Sequence, residues 1–164
     1  MQKQFIALGT VIVRARCLEQ AGWFDPALRL EEDWEFWCRI AAEGDYVFVP
    51  DEPVLAYRIR DGSAARTLYH DIENRRPAIE AVFSNPNIAR HFSKQELLRL
   101  KKQKYISSYE IIGRHGLHNR NWPAAVKWLW RAVCGHPISI RNWILFACAI
   151  VRWIPVPIAK RTGL

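Results

Sequence analysis

Glu32 and Asp33 stand together at the head of Glu31-Glu32-Asp33-Trp34-Glu35-Phe36-Trp37, and a positioned carboxylate is a group that takes a proton from an alcohol. Wound as a helix at about 100° per residue, Asp33 to Glu43 places Trp34, Phe36, Trp37, Ile40 and Ala41 on one broad face, with Asp33 in its midst. Glu32, Glu35, Arg39 and Glu43 fall on the other side. A carboxylate turned inward without a partner costs several kcal/mol, so it must meet a hydrogen-bond network or border a cleft. Two readings follow. Asp33 caps the first turn, which stabilises a helix by about 1 kcal/mol, or it faces a cleft as a general base. Trp34 and Trp37 border the site in the second reading and are core aromatics in the first.

Other segments add to the second reading. Thr10 to Arg16, Gly22-Trp23-Phe24-Asp25, Glu32-Asp33 and Tyr57-Arg58-Ile59-Arg60-Asp61-Gly62-Ser63 occur in that order. Together they resemble the acceptor-side half of inverting, family-2-type glycosyltransferases of the GT-A fold. In that family a Gly-Gly-Phe-Asp turn leads to a Glu-Asp pair opening a helix, then to a Tyr-Arg-x-His-x-x-Ser strand end. The resemblance spans roughly residues 5 to 66. Trp23 replaces the second glycine, and Arg60 stands where histidine is usual, which weakens any claim that residue 60 binds metal.

The resemblance implies transfer of a sugar from a nucleotide-diphosphate donor to the hydroxyl of a glycan or lipid-linked saccharide, with inversion, as in polysaccharide biosynthesis. Asp33 is then the general base, contributing about 10²- to 10⁴-fold. Glu32 orients the loop or holds an acceptor hydroxyl, and Trp34 and Trp37 border the sugar. Arg58 and Arg60 stabilise the leaving diphosphate through charge-assisted bonds; pairing of Arg58 with Glu32 or Asp33 is the structural rival. Such enzymes hold Mg²⁺ or Mn²⁺ with an Asp-x-Asp motif in a preceding donor half. No Asp-x-Asp occurs here, so the chain reads as a fragment, inactive alone and without the metal ligands. No Gln-x-x-Arg-Trp segment is present either, which favours single-sugar addition.

The elements that must position these residues are mixed at first. Phe5 to Val13 reads as a strand and Cys17 to Ala21 as a short helix ended by Gly22. The Asp33 helix stops at Gly44, and Tyr46 to Val49 and Val54 to Ile59 read as strands between proline breaks. After Ser63 the pattern is helical: Tyr69 to Phe83, Ser93 to Arg114, Pro123 to Cys134 and Ile138 to Trp153. Ser93 and Glu96 form a capping-box pattern, while Asn121 with Pro123 and His136-Pro137 supply two further helix starts. The expected fold is an α/β, partial GT-A-like acceptor subdomain over residues 1–66, followed by an all-α C-terminal region over 67–164.

With 164 residues, 50% hydrophobic and 12% aromatic, the chain can bury an ordinary core and is not of disordered composition. Charge divides it: residues 1–60 carry 7 Lys+Arg against 10 Asp+Glu, and residues 61–164 carry 17 against 6. The basic excess lies wholly in the second part and suits an anionic partner. Cys17, Cys38, Cys134 and Cys148 lack metal-type spacing and read as reduced core residues. With no basic-then-apolar leader at Met1, the expected location is cytoplasmic, peripheral at the inner face of the membrane.

Between Arg141 and Arg152 the uncharged run is half the roughly 20 residues a span requires. Its tryptophans and flanking arginines suit a helix at headgroup level or, equally, a buried helix whose arginines reach solvent. Arg99, Lys101, Lys102 and Lys104 near Tyr105, and Trp122, Trp128 and Trp130 among Lys127 and Arg131, raise nucleic acid as a competing partner. No nucleic-acid motif accompanies them, and a solvated basic face is favoured. A non-catalytic basic helical module binding an anionic membrane surface or nucleic acid is therefore the alternative to the enzyme fragment.

Overall fold

A computed structural model of the chain describes residues 6, 8–47, 55 and 71–153. Within them the order is a 3₁₀ turn Leu8–Thr10, α1 Ala15–Ala21, α2 Glu32–Glu43, a 3₁₀ turn Ile72–Asn74, α3 Arg76–Ser84, α4 Pro86–Ala89, α5 Lys94–His118, α6 Trp122–Gly135 and α7 Ile140–Ile150.

No strand occurs among the described residues, which overturns the expected α/β GT-A-like subdomain; the all-α character of the second part agrees. The segment read as a strand keeps its period-2 alternation, with Val11 and Val13 partly buried and Ile12 wholly exposed. Val11 and Val13 pack onto Phe36, Trp37 and Ile40 of α2. A helix face, not a neighbouring strand, satisfies the alternation. Tyr46, Val47 and Leu55 are likewise outside any strand; the rest of those two expected strands lies outside the described residues.

Local chemistry accounts for the helix ends. Gly22 closes α1 at φ +75°, with its N–H on the Leu18 carbonyl, a conformation open to glycine at little cost. Ser93 and Glu96 complete the expected capping box on α5. The Asn121 side chain accepts from Ala124 N–H at 3.3 Å with Pro123 in the first turn of α6, and Ser139 caps α7 through Asn142 N–H. The 25-residue α5 ends at His118 and is closed by Arg120, φ 55°. Asn121 N–H bonds the Gly116 carbonyl and Arg120 N–H the Leu117 carbonyl, the paired bonds of a Schellman end.

Three apolar clusters hold the helices together. Trp34, Cys38 and Ala42 of α2 meet Ile79, Val82 and Phe83 of α3, Ile88 of α4, Ile112 of α5 and Trp128 of α6. Leu117, Leu129, Leu145 and Cys148 knit α5, α6 and α7. Phe36, Trp37 and Ile40 form the third with the segment around α1. The first cluster thus unites residues on both sides of position 66. Each fully buried large apolar side chain contributes about 1.5–3 kcal/mol, and α2, buried on two sides, is the central element.

α5 and α6 cross closely because glycine occurs where they touch. A Cβ on Gly116 would stand 2.8 Å from the Ala125 backbone nitrogen, and one on Gly113 would stand 2.5 Å from Leu129 Cγ. Both distances are shorter than packed side chains tolerate.

Candidate functional site

The acidic start of α2 is built differently from a simple capped helix. Its N-cap is Glu31, in the left-handed region at φ 62° and without a side-chain cap bond. Glu32, Asp33 and Glu35 supply negative charge to the first turn, where the helix dipole favours it. Asp33 Oδ1 accepts the Trp34 N–H at 2.7 Å. Its side chain is half-buried, whereas Glu32 is exposed. Asp33 therefore serves the backbone of the first turn, as in the capping alternative, although it is not the capping residue.

The Glu31 carboxylate turns inward. It pairs with Arg75, which is 1% exposed, and its Oε2 lies 3.1 Å from Lys104 Nζ. Lys104 also stands over the Trp34 ring, 3.6 Å from its centroid. Burial pulls the Lys104 ammonium below its usual pKa, and the adjacent Glu31 opposes that shift. This four-residue cluster joins α2, the chain before α3, and α5. Sequence reasoning missed it, because Arg75 is 44 positions from Glu31 and no local spacing connects them. Glu31 had only the run of three acids to mark it.

The other residues expected at a sugar site are placed as follows. Trp34 is buried in the largest core cluster and Trp37 in the α1–α2 cluster. The Trp37 indole nitrogen is buried without a hydrogen-bond partner among the described residues. Arg58 and Arg60 lie outside the described residues. Ala41, expected on the apolar face, is exposed, and Glu35, expected outside, is 4% exposed. Arg39 explains Glu35: its guanidinium bonds both carboxylate oxygens at 2.7 and 3.0 Å and also reaches the carbonyls of Ala21 and Trp23. That fork clamps the α1–α2 connection to α2. Phe24 stacks on Phe36, centroids 4.2 Å apart.

No group of three or more His, Cys, Asp and Glu capable of holding a metal occurs among the described residues. The Mg²⁺ or Mn²⁺ implied by the resemblance therefore has no ligand set there. All four cysteines are free. Burial pushes the Cys38 thiol up to about 12, which keeps it protonated at neutral pH, while Cys134 is exposed, which corrects its assignment to the core.

The second place with chemical character is the α6–α7 hairpin. α7 buries Asn142, Leu145, Cys148 and Ala149, as an amphipathic helix should. Its other side is not polar. Ile140, Trp143, Ile144 and Ile150 are all exposed, and Ile138, Val151 and Trp153 extend the patch at both ends. Trp130, Trp143 and Phe146 form an aromatic group with centroid separations of 5.3–6.4 Å. Arg141 and Arg152 flank the patch; Arg141 is anchored to Glu110 of α5 at 2.7 Å while remaining 55% exposed. No helix of the described residues is long and apolar enough to cross a membrane.

The aromatic residues expected to stack bases are mostly engaged. Trp128 is buried and stacked on Tyr109 at 5.6 Å, with Lys127 and Arg131 over its ring. Trp130 and half-buried Trp122 belong to the hairpin.

Comparison with known proteins supplies no relative. With no strand among the described residues to form a GT-A sheet, the family-2 glycosyltransferase resemblance does not stand as an assignment. No family model, no curated protein and no solved structure matches the chain.

Proposed function

We propose that the chain is a basic helical module that docks on an anionic membrane surface through the α6–α7 hairpin. The observation that carries the reading is the unburied side of α7, where Trp143 and Ile144 are 45% and 54% exposed. Contiguous exposed apolar surface on a folded domain marks an interaction site. Tryptophans beside an aliphatic strip, with arginines at its ends, match the headgroup boundary, where an amphipathic ring keeps a polar edge wet. The whole chain adds a net charge of +8, and each Lys or Arg near an anionic bilayer contributes about 1 kcal/mol.

A nucleic acid fits this face less well, because aliphatic residues offer phosphates nothing and Trp128 is already stacked. The test is flotation with vesicles. Wild-type protein should float with phosphatidylglycerol-containing vesicles at low salt and stay down with phosphatidylcholine alone. Trp143→Glu with Ile144→Glu should abolish flotation while leaving helical content intact. Equal flotation of the double variant rejects the reading.

Sugar transfer with Asp33 as general base is the second reading. It is favoured by the half-buried Asp33 beside exposed Glu32 in the first turn of α2. It needs a nucleotide-sugar donor and an acceptor alcohol that reaches the Asp33 carboxylate, one oxygen of which accepts the Trp34 N–H. Asp33→Asn should abolish transfer in a donor-supplied assay at unchanged melting temperature; undiminished turnover rejects it.

A further inference from the structure

A groove of about 270 Å³ opens between the start of α6 and the end of α7, lined by Trp122, Pro123, Val126, Ala149, Ile150 and Arg152. Five of the six are apolar, the sixth is a cation, and no acid takes part. An apolar cleft with one placed polar group is the general form of a small-ligand site.

Arg152 holds an unusual position. It sits at φ 56°, in the left-handed region where an L side chain is strained and glycine is not. Trp153 N–H bonds the Cys148 carbonyl at 2.9 Å, the longer of the two bonds of a Schellman end, which goes with a left-handed residue just before it. The end of α7 could be made without strain by glycine, yet an arginine occupies it and lines the groove. At the end of α5, two positions before Trp122, Arg120 repeats the arrangement at φ 55°.

We infer that this groove seats one anionic phospholipid, with one of its two acyl chains along Val126, Ala149 and Ile150 and its phosphate on Arg152. The inference rests on the membrane reading for its ligand class. Charge complementarity selects the phosphate, and the apolar walls select a lipid over free phosphate, which would leave them uncovered. Trp153 and Val151, exposed beside the groove, extend the same apolar surface from which a lipid would enter.

The test uses the whole chain and dihexanoylphosphatidylglycerol below its micellar concentration, with binding read by tryptophan fluorescence. Saturable binding is expected, with affinity about tenfold weaker for dihexanoylphosphatidylcholine and no binding of inorganic phosphate. Arg152→Gly should weaken the anionic lipid about tenfold while the melting temperature holds or rises, since the left-handed strain is relieved. Val126→Trp, by filling the cleft, should block the lipid. Trp143→Glu with Ile144→Glu should lose vesicles yet keep the monomeric lipid, so failure of the docking face and failure of the groove are read separately. Equal affinity for the two lipids, undiminished binding by Arg152→Gly, or phosphate binding as tightly as the lipid would overturn the inference.

Discussion

Lys104 Nζ lies 3.6 Å from the centroid of the Trp34 ring and 3.1 Å from Glu31 Oε2. One ammonium on α5 is thus held between an aromatic face and the carboxylate that opens α2. Cation–π attraction strengthens when both groups are desolvated, and the ion pair offsets the cost of burying Lys104 and Arg75.

Glu31→Ala removes the carboxylate that both cations share, and breaking a buried pair in this way costs about 3–5 kcal/mol. Glu31→Gly loses the same charge but relieves the left-handed backbone, so it should be more stable than the alanine variant by about 1 kcal/mol. Urea unfolding of the two variants beside wild type measures both differences. Equal stability of all three would remove the cluster from the account of the fold.

Gly116→Ala should destabilise by about 1–3 kcal/mol, because the new Cβ meets a backbone nitrogen of α6 that cannot rotate away. Thermal unfolding checks this, with a lowered midpoint as the expected result. An unchanged midpoint would mean that α5 and α6 can separate at no cost.

Arg120→Gly should act in the opposite direction. Arg120 occupies the left-handed position of a Schellman end, and glycine there relieves roughly 1 kcal/mol of steric cost. A raised unfolding midpoint is expected in the same assay.

Glu80 couples stability to acid. Hydrogen bonds from Lys101 Nζ and Tyr105 OH, both at 2.6 Å, hold its carboxyl below the usual pKa. A carboxylate depressed in the folded state contributes stability that is present above its unfolded pKa and is lost as pH falls through the folded value. Below about pH 4.5, the ordinary value for this group, wild type should lose stability more steeply than Glu80→Gln. Urea midpoints at successive pH values check the slope. Parallel curves would show that the bond network contributes no pH dependence.

The helices were legible where local chemistry sets their ends. Gly22, Gly44, the Ser93–Glu96 box and Asn121 with Pro123 all mark observed boundaries within a few residues. Val11, Ile12 and Val13 misled because alternation reports one buried face, whether a strand or a helix covers it. The surroundings of Glu35 were hidden because α2 is buried on two sides, so no single polar face exists to be read from 3.6-residue spacing. The Glu31–Arg75–Lys104 cluster depends on contacts far apart in the chain, which periodicity does not encode. The exposed apolar side of α7 was visible as residues, but only packing against α5 and α6 separates Trp143 and Ile144 from buried Leu145 and Cys148.

Docking through α7 is tested most directly by fluorescence quenching with anionic vesicles whose acyl chains carry bromine. Wild-type tryptophan emission should be quenched at low salt, and Trp130→Phe with Trp143→Phe and Trp153→Phe, the three exposed tryptophans of the patch, should lose most of that quenching while vesicle binding persists. Binding with no quenching, or quenching undiminished in the triple variant, would contradict insertion of this face.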